Sequence, residues 1–206
     1  MRPASEFDRI ASNIAIWHDH DSDVKAELYS TCLGSPDGMY LIDPIPLESE
    51  ALDEVIGSNS VAGIIVTNSN HHRASAKFAA DFSVPIFGHG EAFIDRPPLQ
   101  FRSVADADKI YDELTAIGIE GAAEGEIALH YAPDGGTFII GDALINFEPY
   151  GFTFLPSKYC SNQKQMRRSL RKLLGYKTMR IFFAHGAPIF SDANGRLRTL
   201  LNSGIS

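Results

Sequence analysis

Apolar and polar positions along this chain follow two different periods, and the switches between them mark out the elements. Residues 64–66, Ile-Ile-Val, form the β-branched apolar run expected of a strand buried on both faces. A tight polar turn follows, and Ala74, Ala76, Phe78, Ala79 and Phe82 then recur at helical spacing. Before this unit, residues 14–17 and 24–33 read as two strands joined by His18, Asp19, His20, Asp21, Ser22 and Asp23. Such a connector is an acidic hairpin loop, with chelation of a cation as the rarer alternative. Pro36-Asp37-Gly38 signals a turn into a short strand over residues 39–42, ending at Asp43-Pro44. Residues 48–56 carry Ala51, Leu52, Val55 and Ile56 on one helical face.

Further along, residues 84–87 read as a short buried strand, and residues 91–104, with Pro97-Pro98, as an irregular surface excursion. Residues 105–117 mix helical and strand signals, so the pattern assigns them neither. Residues 126–131 and 137–140 form a hairpin around Pro133-Asp134-Gly135-Gly136. The aromatic and proline-rich residues 147–159 read as a loop. Residues 161–174 make the clearest helix, with a cap at Ser161 or Asn162, an apolar face of Met166, Leu170, Leu173 and Leu174, and Gly175 as its stop. Its basic residues read as a solvated face. A last apolar strand at 179–183 precedes a short helix at 196–201, and residues 1–10 read as a lead-in.

Composition narrows this picture without redirecting it. With 206 residues and 44% hydrophobic positions, the chain suits one compact domain over residues 1–206. A formal charge of −8 argues against general affinity for nucleic acid or an anionic membrane surface. The two cysteines, Cys32 and Cys160, form no disulfide framework or zinc-ribbon spacing. No secretory signal or bilayer-length apolar run is read, so the expected compartment is the cytoplasm.

Candidate chemistry gathers at strand ends. Asn68, Asn70, His71, His72 and Arg73 crowd the turn after the central strand, where α/β folds commonly build sites. Asp43, Asp142 and His185 each follow an apolar strand. Singly, each is as readily a turn residue or a structural histidine. Their recurrence at the same kind of position suggests one shared site.

In this order of motifs the chain resembles the metallo-β-lactamase superfamily. A buried strand ends in Leu41-Ile42-Asp43; a strand, Thr67 and a turn stand where the family has T-H-x-H-x-D-H; Gly141-Asp142-Ala143-Leu144 is similar to its G-D-x-L; and Phe183-Ala184-His185-Gly186 is similar to its late histidine motif. The resemblance implies a four-layer αββα sandwich and, in the family, hydrolysis at a zinc centre. This chain departs from the ligand set. Aligning Thr67 puts Asn68 and Asn70 at two histidine positions, His72 at the aspartate and Arg73 at the last histidine. Neutral carboxamides are poor zinc ligands and a guanidinium cannot ligate at all, so a dinuclear zinc centre is not expected.

Two readings follow from the resemblance. In one, His72 (or His71), Asp142 and His185 hold a single divalent metal, such as zinc, and act with it as the catalytic set. The substrate would be a small molecule with an ester, thioester, amide or phosphodiester. In the other, which the lost imidazoles favour, the metals are gone and Arg73 supplies the positive charge that balances Asp142, through a direct or water-bridged contact. The protein would then bind a ligand or regulate. Asn68, Asn70, His71, Arg73 and Asp43 are the expected binding and orienting residues in either case.

Overall fold

The computed structural model describes residues 2–23 and 25–203, so Val24, the expected start of the second strand, lies outside the described residues. Seven strands form the first sheet in sequence order: β1 (Asp8–Ala11), β2 (Ile14–Asp21), β3 (Ala26–Ser35), β4 (Gly38–Ile42), β5 (Val61–Ile65), β6 (Ile86–Gly88) and β7 (Phe101–Ser103). The pairs from β1 to β4 are antiparallel; from β4 onward the strands run parallel, each crossover passing over the outer face. Two of those crossovers are helices, α1 (Ser49–Ile56) and α2 (Ser75–Phe82).

The second sheet begins with β8 (Lys109–Tyr111), β9 (Leu114–Gly118), β10 (Ile127–Tyr131) and β11 (Thr137–Ile140). The next two strands, β12 (Leu144–Phe147) and β13 (Gly151–Phe154), leave it to pair with each other as an antiparallel hairpin. The last, β14 (Arg180–Phe183), returns to the sheet and adds parallel to β11 at its edge. Helices α3 (Gln163–Ser169) and α4 (Ala193–Asn202) flank it.

Three apolar layers hold these elements together. Between the sheets lie Ile14, Leu33, Ile42 and Ile65 from the first and Leu114, Leu129, Ile139 and Phe182 from the second. Trp17, Leu41 and Ile64 point the other way, onto Val55 of α1 and Phe78 of α2. Phe138, Ile140 and Ile181 pack outward onto Met166 of α3 and Leu197 of α4. This alternation of faces along each strand is the period-2 pattern of a sheet buried on both sides. The result is the expected αββα sandwich. Among the described residues, no helix is long and apolar enough to cross a membrane.

Several elements differ from the sequence-based expectation. The residues expected to form an acidic connector, His18 to Asp21, continue β2, with His18 opposite Tyr29 and His20 opposite Glu27. Alternation hid them because both faces of this protruding end are polar. Residues 105–117 hold the β8–β9 hairpin, residues 101–103 are an edge strand, and part of the expected loop at 147–159 pairs as β13. The helix expected at 161–174 is α-helical over Gln163–Ser169 only and tightens to a 3₁₀ turn over Leu170–Gly175.

The fold brings four strand ends to one edge. The C-terminal ends of β4 and β5 deliver Asp43 and Thr67, and those of β11 and β14 deliver Asp142 and His185. Backbone bonds cross between the sheets at this edge: Ile127 N–H donates to Thr67 C=O at 2.8 Å, and Tyr29 N–H to Ala184 C=O at 3.0 Å.

Candidate metal centre

The site is built outward from the turn after β5. Asn68 caps a 3₁₀ turn over Ser69–His71, its side-chain oxygen accepting from Asn70 N–H at 2.9 Å. This turn points the His71 ring inward, where the residue is only 2% exposed. Asp43 receives it: the carboxylate accepts from Thr67 N–H at 2.8 Å and lies 2.9 Å from His71 Nδ1. The opposite nitrogen, His71 Nε2, is 3.2 Å from Asp142 Oδ1 and 3.2 Å from His185 Nε2. His185 Nε2 is in turn 3.1 Å from the same Asp142 oxygen. The second Asp142 oxygen accepts from Asn70 Nδ2 at 2.9 Å. Three potential ligand atoms thus form a nearly equilateral triangle, with His71 and Asp142 each held from behind by a further partner.

Electrostatics follow from this packing. Burial works against charge on His71, but Asp43 and Asp142 outweigh it and push its pKa up to about 9. Burial would likewise raise both aspartates; His71, with His185 beside Asp142 and Arg73 beside Asp43, holds them below the usual range. His185 shifts down, from burial and from the positive charges of His71 and Arg73. Behind the triangle, Glu126 is buried, accepting from Asn68 Nδ2 at 2.6 Å and from Ala143 N–H at 3.0 Å. Burial, and then the Asp142 charge, push its carboxyl up to about 8.

The three donors fit a metal ion. Four tetrahedral ligands at the usual zinc distances stand about 3.3 Å apart, close to the 3.1–3.2 Å spacings of this triangle. Asp43 on the far nitrogen of His71 is the carboxylate–histidine arrangement that orients metal ligands. Gly141 lets the strand end that carries Asp142 approach the turn that carries His71: a Cβ there would lie 2.7 Å from Thr67 Oγ1, 2.8 Å from Glu126 Oε1 and 2.9 Å from Asn68 Nδ2.

The sequence profile of the metallo-β-lactamase superfamily matches residues 9–204. The chain belongs to the metallo-β-lactamase superfamily. No curated protein matches it. Solved structures of metallo-β-lactamases share its fold: the DIM-1 enzyme exposed to ceftazidime has 11% identity and a TM-score of 0.75, with 96% of each chain covered. The metallo-β-lactamase from Pontibacter korlensis has 12% identity and a TM-score of 0.73, over 96% of this chain and 98% of that one. A metallo-β-lactamase family protein from Thermus thermophilus has 18% identity and a TM-score of 0.70, over 95% of this chain and 80% of that one.

Within this superfamily member, the expected site residues are redistributed. Asn68, Asn70, His71, Asp142, His185 and Asp43 meet as described. His72 does not join them: its Nε2 lies 2.8 Å from the Ala92 carbonyl and its ring stacks on Phe93 at 4.6 Å. The third donor is therefore His71 rather than His72, because the 3₁₀ turn rotates successive side chains by about a third of a turn. Arg73 makes no direct contact with Asp142, which corrects that part of the second expectation. Its guanidinium donates to the Tyr29, Asp43 and Ala184 carbonyls at 2.7, 2.9 and 3.3 Å, while Asp142 is met by Asn70 and the two imidazoles. Sequence reasoning also missed Glu126. The one available signal was a glutamate directly ahead of the all-apolar Ile127-Ala128-Leu129, where a carboxylate would be buried.

Proposed function

We propose that this superfamily member is a hydrolase using a single divalent metal, held by His71, Asp142 and His185. The observation that carries the reading is the triangle of Nε2, Oδ1 and Nε2 atoms at 3.1–3.2 Å, backed by Asp43 on His71 Nδ1. Two imidazoles and one carboxylate are a recurrent donor set for catalytic zinc, with a fourth position left open. When bound, such an ion supplies Lewis acidity, polarising a carbonyl or phosphoryl oxygen and making a water more acidic. The substrate class is accordingly a small molecule with an ester, thioester, amide or phosphodiester bond.

The chain's own residues have separable tasks in this reading. Asp43 accepts the Nδ1 proton of His71 and thereby presents Nε2, free of its proton, to the ion's position between the three donors. Asn70 holds one Asp142 oxygen, leaving the other for the ion. Asn68 Nδ2 and the Ala143 N–H fix Glu126 behind the donors, holding its two carboxyl oxygens in place. His71 must ligate without its Nε2 proton, so ion uptake releases the proton that Asp43 and Asp142 otherwise favour. The His185 side chain retains 18% exposure and is the donor nearest to solvent.

A second reading has its own supporting observation. A protonated His71 and Arg73 together balance Asp43 and Asp142, so the cluster is satisfied without an ion as a binding or regulatory site. One experiment separates the two. Untagged, chelator-stripped protein is titrated calorimetrically with zinc in two buffers of different ionisation enthalpy. One equivalent, with proton release, lost in Asp142→Ala and His185→Ala, supports the hydrolase. Absence of binding by the wild type overturns it and leaves the metal-free reading.

A further inference from the structure

Arg73 ligates nothing, yet its guanidinium joins β3 and the end of β4, which carries the Asp43 behind His71, to the end of β14, which carries His185. We infer that Arg73 is a positioning residue, clamping those strand ends so that the three donor atoms keep the spacing of a metal ligand face. The inference rests on the metal-binding reading above, and deepens it.

The geometry is specific to a guanidinium. Nη1 donates to Tyr29 C=O in β3 at 2.7 Å and to Asp43 C=O just beyond β4 at 2.9 Å. Nη2 donates to Ala184 C=O just beyond β14 at 3.3 Å. The first two carbonyls belong to one sheet and the third to the other, so a single side chain ties both sheets at the site edge. Each sheet contributes a group that the site depends on. Asp43 carries the carboxylate on His71 Nδ1, and Ala184 immediately precedes His185. Tyr29 closes the loop, since its own N–H donates to Ala184 C=O at 3.0 Å.

Two further features set Arg73 apart from an ordinary surface arginine. Its backbone φ of 37° lies in the left-handed region, which a non-glycine residue occupies only when its surroundings determine it. Its side chain is also half-buried, with the guanidinium turned to backbone carbonyls of both sheets. A rigid planar fork meets the three carbonyls from two nitrogens in fixed directions; the three donors of a lysine ammonium all radiate from one atom on a flexible stem and lack that fork.

Arg73→Lys and Arg73→Met separate geometry from charge, because lysine keeps the cation and loses the fork. The first measurement is hydrogen exchange in chelator, read by mass spectrometry on the peptides holding Tyr29 and residues 184–186. The second is cobalt and zinc affinity, with the visible spectrum of the cobalt form as a report on coordination. Both variants are expected to fold, to exchange faster at these amides, and to lose about tenfold to a hundredfold in metal affinity. The cobalt spectrum should shift in both.

Unchanged exchange in both variants would overturn the clamp. Faster exchange with wild-type affinity and an unaltered cobalt spectrum would also overturn it, leaving Arg73 as a structural tie with no hold on the donors. Wild-type affinity in Arg73→Lys alone would assign the effect to charge and overturn the geometric claim. A wild type that takes no metal sinks the metal-binding reading instead, and the exchange measurement then decides the clamp by itself. Should Arg73→Met fail to fold, Arg73→Lys carries the test.

Discussion

His71 concentrates the physical tension of the site, lying fully buried between Asp43 on one nitrogen and Asp142 on the other. Its pKa rises from 6.5 to about 9 in the folded state, so its contribution to stability is complete below about 6.5 and is lost as pH rises through about 9. Glu126 acts in the same direction. Its pKa rises from 4.5 to about 8, so the folded state favours the protonated carboxyl and loses stability as pH climbs across that interval. Asp43 and Asp142 act oppositely, their contributions being lost on acidification. Urea midpoints of chelated protein should therefore fall from pH 6.5 to pH 9, and fall less steeply in His71→Gln. A flat profile over that range would contradict the charge assignment. At this scale the residue types were legible: Asp43, Asp142 and His185 follow apolar strands, and Asn70 and His71 crowd one turn. The identity of the inward histidine was not, because His71 and His72 are adjacent and only the turn's rotation distinguishes them.

Among the elements, α3 carries the cleanest local signal. Asn162 accepts from Gln165 N–H at 3.0 Å, and the buried Met166 packs the helix onto the second sheet. Asn162→Ala should cost about 1 kcal/mol in urea unfolding, with the site's metal affinity untouched. No measurable loss would mean that neighbouring turns, and not the cap, hold the helix start. Elements built on such local chemistry were readable, as were the strands with continuous apolar runs. Short edge strands were not. The β8–β9 hairpin and β7 are held by pairing to partners, and their residues carry too little alternation to announce it.

For the molecule as a whole, stability lies in the layer between the sheets, where Leu129 from β10 is fully buried with Ile42 and Ile65 from the facing sheet. Leu129→Ala should cost about 2–5 kcal/mol, read as a lowered urea midpoint with an unchanged slope. A cost comparable to that of an exposed position such as Leu99 would contradict a continuous inter-sheet core. The sequence by itself determined most of the strands and helices and most of the polar residues at the strand ends, since periodicity and turn chemistry are local properties, and its order of motifs carried the resemblance that implies the sandwich. Tertiary structure decided which of those residues face one another. The choice of His71, the burial of Glu126 and the diversion of Arg73 to backbone carbonyls depend on two sheets meeting at one edge. No local pattern encodes the distance between residues 71, 142 and 185, because that distance exists only once both sheets have packed.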